Sequence, residues 1–218
     1  MQPEVTCIFG RDAASHSITD VRTDMKPDRR SLDGTDCELR AHDQASGGHM
    51  ITGYAAVFNS FSEDLGGFRE IIRPGAFKEA LSSGQDVRGL VNHDPSQLLG
   101  RTSSGTMRLK EDRRGLRFEI DAPKTTSAKD VVESIRRGDM TGSSFSFQVR
   151  GDDGDNWRTE GEDRVIRELL SVDVMDVGPV TFPAYPASVA ETTKRSLDKV
   201  QKRVCLQAEQ ARLDNLKS

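Results

Sequence analysis

The chain has 218 residues, with 31 Lys and Arg against 35 Asp and Glu, a formal charge of −4. That balance argues against a nucleic-acid binder working through bulk positive charge. Hydrophobic residues make up 34% and charged residues 30%, which fits one modest core with polar tails better than two full domains.

Apolar runs such as Tyr54-Ala55-Ala56-Val57-Phe58 are far shorter than the roughly 20 residues a membrane-spanning helix requires, so no span is expected. The opening MQPEVTCIFGRDAASHS has neither a basic region nor a sustained apolar one, and no secretory signal is expected. The three cysteines, Cys7, Cys37 and Cys205, have no CxxC spacing. A reducing cytosol without a disulfide framework or structural zinc is the expectation.

Residues 1–48 are polar and turn-prone, with the runs MKPDRRSLDGTD and QASGG, and read as a mostly flexible arm, a first strand starting near Cys37-Glu38-Leu39-Arg40. From His49 the texture changes. ITGYAAVF, FREII, VRGLV, TMRLK, LRFEI, SFSFQV, VIREL and VDVMDV are short β-rich runs separated by Gly, Asp, Asn and Pro, the spacing of an antiparallel barrel or sandwich. Two segments break that pattern: Gly75 to Leu81 after Pro74, and Ser127 to Arg137, where Val131, Val132 and Ile135 share a face and Gly138 follows. Both predict short helices. Beyond residue 190, Leu197, Val200, Val204, Ala208 and Ala211 recur at spacings of three and four, which predicts a C-terminal amphipathic helix over 191–218. It reads either as a docked terminal helix or as a partner-binding or cleavable segment.

Four histidines are present. His16 and His42 fall in the expected arm, and His49 sits at the edge of the first long strand. His93 follows Gly89-Leu90-Val91 and precedes Asp94-Pro95, a strand end opening into a turn, where a side chain can be aimed at a substrate. In Gly142-Ser143-Ser144-Phe145-Ser146-Phe147, alternation puts the bulky Phe145, Phe147 and Val149 on one face and Ser144, Ser146 and Gln148 on the other. A serine hydroxyl needs a base to become a nucleophile, and imidazole is the side chain best suited at neutral pH. The base needs an orienting acceptor, which Val172 to Val177 offers in Asp173 or Asp176. Strict alternation places these two on opposite faces, so at most one is expected to face the site. A turn-capping role for Asp176 before Gly178-Pro179 is the plainer alternative.

Other chemistry has less behind it. Asp64-Leu65-Gly66-Gly67 lacks the Lys-Ser/Thr of a phosphate loop, and no GxGxxG opens a helix, so no nucleotide cofactor is expected. His93-Asp94 alone is too little for a metal phosphohydrolase.

Together these residues resemble the prohead, or capsid maturation, proteases of HK97-type tailed bacteriophages, whose fold is related to that of the herpesvirus assemblins. The resemblance rests on Gly53 to Asn59, Gly67 to Ile72 with Pro74 to Phe77, Asn92-His93-Asp94 with Leu99 to Thr102, Ser103 to Thr106, Gly115-Leu116, Arg137 to Asp139, Gly142 to Phe147, and Asp176 to Tyr185. It spans about residues 49–190 in family order. It implies a mainly β, α+β serine protease built on a closed antiparallel β-barrel with flanking helices, and a division into the arm 1–48, a protease domain 49–190 and the terminal helix 191–218.

By the same resemblance His93 matches the base, Ser144 the nucleophile and Asp176 the acidic position, with no cofactor or metal. Ser146 stands where the family usually has Gly and is a rival hydroxyl on the same face. Gly178 stands where Ser is frequent. Read from its own neighbours, Arg101 is first an ordinary salt-bridge residue of the barrel and only second a candidate support near the oxyanion. The implied substrates are the scaffold or the scaffolding region of the major capsid protein, and the chain itself, inside the assembling procapsid in the host cytoplasm, with self-association as in the assemblins. The competing readings are a non-catalytic capsid assembly protein and a protease–scaffold hybrid.

Overall fold

The computed structural model describes residues 27–183 apart from 33, 46 and 161–163. The expected terminal helix over 191–218 and residues 1–26 of the expected arm lie outside the described residues. The described elements, in chain order, are β1 (Asp28–Leu32), α1 (Gly34–Cys37), β2 (Arg40–Asp43), β3 (His49–Val57), β4 (Phe68–Ile72), α2 (Lys78–Ser82), β5 (Arg88–Leu90) and β6 (Leu98–Arg101). They continue with β7 (Met107–Glu111), β8 (Gly115–Ala122), α3 (Thr126–Arg137), β9 (Gly142–Val149), β10 (Asp155–Glu160), β11 (Arg164–Leu169) and β12 (Val172–Val180).

The chain is mainly β with few helices, but the closed antiparallel barrel does not form among the described residues. The strands divide into three open sheets, ordered β1-β9-β12-β5-β6, β10-β11-β4 and β2-β3-β8-β7. Nor is the pairing wholly antiparallel, because β12 runs parallel to β5 and β11 parallel to β4. Closure needs a continuous ladder of backbone hydrogen bonds, and here the three sheets meet through side-chain contacts instead. Between β9 and β3 the Ser143 hydroxyl donates to the Tyr54 carbonyl. Gly89 and Gly100 carry no side chain, which lets Ile120 and Met107 of the opposing sheet press against them. The sheets therefore stack face to face.

The polar start also differs from expectation. Asp28–Asp43, inside the expected arm, supply an edge strand to the first sheet, a one-turn helix and an edge strand to the third. The strand expected near Cys37 begins at Arg40, because Gly34–Cys37 turns helical first.

The two predicted helices form with shifted bounds. In α3 the Thr125 side chain accepts from the Ala128 N–H, and Gly138 at φ 79° closes the helix in the left-handed conformation. Ala128, Val132 and Ile135 face the core. Pro74–Phe77 forms a turn rather than the start of α2, because the Glu111 carboxylate accepts from the Gly75 and Phe77 N–H groups at 2.7 and 3.3 Å. The core is apolar and aromatic: Phe77 packs edge-on to Phe145 with centroids 5.7 Å apart, and Phe145 stacks on Phe147 at 5.1 Å. Burying side chains of this size contributes about 1.5–3 kcal/mol each, and it pins the face of β9 opposite Ser144.

Candidate active site

β9 lies between β1 and β12, so its serines are flanked by strands on both sides. Phe145 and Phe147 point into the core, and alternation turns Ser144 and Ser146 to the other face. β12 is antiparallel to β9, with Asp176 opposite Ser146 and Gly178 opposite Ser144. A bulge between Val174 and Asp176 resets the alternation of β12. Asp173 pairs with Gln148 and Asp176 with Ser146, so the two aspartates share a face, contrary to the expectation of opposite faces. Asp173 is engaged by Arg150, whose Nε lies at 2.9 Å.

His93 arrives from the loop after β5, the parallel neighbour of β12. Asn92 and His93 both hold left-handed backbone, at φ 53° and 58°. Asn tolerates this region, whereas His is less common there, and such strain persists only where surrounding contacts hold it. Here those contacts are with the end of β12. The Asn92 N–H donates to the Pro179 carbonyl at 3.0 Å, and its side-chain oxygen accepts from the Thr181 N–H at 2.8 Å.

The ring that results is anchored at both nitrogens. His93 Nδ1 lies 2.5 Å from Asp176 Oδ1, and Nε2 lies 2.6 Å from Ser144 Oγ. A carboxylate only accepts, so Nδ1 carries the hydrogen, and in the neutral ring Nε2 presents its lone pair to the Ser144 hydroxyl. Ser146, the rival hydroxyl, donates to Asp176 Oδ2 instead. Ser144 Oγ is also 2.8 Å from the carbonyl oxygen of Arg30 in β1. The side chains of His93 and Asp176 are 9% and 13% exposed, and Ser144 is 1% exposed.

Gly178 is required where it stands, because a Cβ there would sit 1.9 Å from the Leu90 carbonyl oxygen at the end of β5.

Asp94 turns away from the ring to accept from the Ser96 N–H and hydroxyl at 2.8 and 2.7 Å, and these bonds hold its carboxyl below the usual range. Arg101 is committed to Asp86 on the exposed side of the β5–β6 pair, with Nε 2.9 and 2.8 Å from the two carboxylate oxygens. Sequence reasoning missed three contributors: the Ser146 bond to Asp176, the Asn92 clamp and the Arg30 carbonyl. Only the first left a trace, in the two-residue spacing of Ser144 and Ser146.

A hydroxyl, an imidazole and a carboxylate joined in series on a β framework have the geometry of a serine-hydrolase triad. A family model described as caudovirus prohead serine protease matches residues 35–203, and the chain belongs to that family. A solved structure of the bacteriophage T4 capsid assembly protease aligns with 70% of this chain and 98% of its own, at 12% identity and a TM-score of 0.42. No curated protein matches the chain.

Proposed function

We propose that the chain is the serine endopeptidase of prohead maturation, with Ser144 as nucleophile, His93 as general base and Asp176 as the group that orients the ring. The observation that carries this reading is the 2.6 Å contact between Ser144 Oγ and His93 Nε2, with Nδ1 tied to a carboxylate.

In this mechanism Ser144 Oγ attacks the scissile carbonyl carbon while His93 Nε2 takes its hydrogen. The imidazolium then protonates the departing amine, leaving an acyl-enzyme that water hydrolyses by the reverse relay. Asp176 stabilises the charged ring and keeps Nε2 directed at Ser144. The substrates are the scaffold or the scaffolding region of the major capsid protein, and the chain itself, cut within the assembling procapsid in the host cytoplasm.

Co-expression with the cognate coat and scaffold proteins, followed by mass measurement of every fragment, tests the reading. The expected result is discrete cleavage by the natural chain and, for Ser144→Ala, a folded protein with activity reduced by about 10⁴–10⁶-fold. Full activity in Ser144→Ala overturns it.

A further inference from the structure

Among the described residues β1 is the outermost strand of the first sheet and pairs with β9 alone, and it lies directly across Ser144. Ser31 stands opposite Ser144 and Arg30 opposite Phe145, with the Arg30 carbonyl oxygen 2.8 Å from the Ser144 hydroxyl. An extended segment added to a sheet edge is a general mode of peptide recognition, in which main-chain bonds supply affinity and side-chain pockets supply selectivity.

The pocket is built. Glu70, on β4 of the neighbouring sheet, grips the Arg30 guanidinium through two bonds, Nε to Oε1 at 2.7 Å and Nη2 to Oε2 at 3.0 Å. The Glu70 side chain is 2% exposed. The same guanidinium lies over the Phe147 ring, 5.5 Å from its centroid. Arg167 holds Glu70 in place from below at 3.1 Å and is itself tied to Asp155 at 2.9 Å and to Asp28 at 3.3 Å. Fork-to-carboxylate pairing with an aromatic platform is selective for arginine over other side chains.

We infer that Asp28–Leu32 is the chain's own substrate strand, that the Arg30–Ser31 peptide bond is a self-cleavage site, and that Glu70 with Phe147 selects arginine at the residue giving the scissile carbonyl. This deepens the proposed function and rests on it. Ser144 has one hydroxyl hydrogen, which cannot serve the Arg30 carbonyl and His93 Nε2 together. Rotated onto Nε2, the hydroxyl leaves an oxygen lone pair free for the Arg30 carbonyl carbon. A new bond joins Oγ to that carbon and the hydrogen passes to Nε2. The bond to the Ser31 nitrogen then breaks as that nitrogen takes the hydrogen back. Water releases Arg30 as a free carboxylate, and the remaining chain begins at Ser31. Departure of the leading fragment removes Asp28 and Arg30 together, leaving Glu70 and Asp155 against Arg167 alone. That acidic excess suits the arginine of the next extended substrate.

Full-length chain made by cell-free synthesis and followed in time by intact mass and amino-terminal analysis tests this, with coat protein in the same mixture. The expected products are a fragment ending at Arg30 and a chain starting at Ser31, both missing in Ser144→Ala. Arg30→Glu is expected to slow that cut at least 10-fold, and Arg30→Lys to slow it less because charge is kept and the fork lost. Glu70→Gln is expected to slow the natural chain's cut and to narrow the difference between Arg30 and Arg30→Lys, because the carboxylate that receives the fork is gone. Coat cleavage without a cut at Arg30–Ser31, or an undiminished cut in Arg30→Glu, overturns the inference and leaves the protease reading standing. A natural chain that cuts nothing overturns both.

Discussion

Ser146 donates its hydroxyl hydrogen to the oxygen of Asp176 that His93 leaves free. The carboxylate is thereby held at both ends, and the plane of the imidazole is set by a residue that does not touch the ring. Removing one bond to a charged group costs about 1.5–3 kcal/mol, and a misdirected ring passes part of that cost to the transition state. Ser146→Ala is expected to lower kcat by roughly 10-fold, up to about 100-fold, with little change in KM. Steady-state kinetics on a coat-derived peptide check this. A serine-directed phosphonate should still label Ser144, and labelling at Ser146 instead would reverse the two roles.

Gly178 faces Ser144 across the ladder and nearly touches the Leu90 carbonyl. The obstruction to any side chain is backbone, which cannot swing aside, so Gly178→Ala must spread β12 from β5 and displace the loop carrying His93. The expected cost is at the upper end for overpacking, about 3 kcal/mol. In a chain of this size that lowers the melting temperature by roughly 6–12 °C. Calorimetry reads the shift directly, and a melting temperature equal to that of the natural chain would show the two strands to be further apart.

The alternation of β9 was legible because Phe145 and Phe147 are bulky and the serines between them are not. The side assigned to Asp173 and Asp176 was not legible, since one extra residue at a bulge flips all that follows and leaves no mark in composition. β1 escaped notice for a different reason. Asp-Arg-Arg-Ser-Leu has no strand character of its own, and what holds it is pairing with Glu70 and Arg167, residues far along the chain. The short, charged β10 was missed for lack of apolar alternation, as its buried and exposed positions show no clean period. The spacing of β-rich runs identified the class of fold but could not say whether the sheet edges meet, which depends on the pairing of strands far apart in the chain.

Asn92 tests how far the strained turn positions His93. At φ 53° a side chain other than Asn or Asp is disfavoured, and alanine would also give up both bonds to Thr181, from the side-chain nitrogen to the hydroxyl at 3.2 Å and from the Thr181 N–H to the side-chain oxygen. Asn92→Ala is expected to lose about 1–2 kcal/mol of stability and to lower kcat more than it raises KM. Asn92→Gly relieves the backbone but not the lost clamp, so it should recover part of the stability without recovering kcat. Chemical denaturation alongside kinetics separates the two effects. Recovery of both would assign the whole role to backbone conformation.

Asp28 makes the docking of β1 depend on pH. Burial pushes its carboxyl above the ordinary value of 3.8, outweighing the attraction of Arg30 and Arg167, while the nearby Glu70 pushes the same way. A carboxyl with a raised folded value binds its proton more tightly when β1 is docked than when it is free. Its contribution to docking is therefore fully present below 3.8 and is lost as pH rises through the raised value. Protection of the β1 amides against hydrogen exchange, corrected for the intrinsic pH dependence of exchange, is expected to fall over that acidic window while protection in β9 and β12 holds. Asp28→Asn cannot ionise and should flatten the profile. If the variant keeps the full slope, Asp28 is not the titrating group and does not govern release of the strand that covers Ser144.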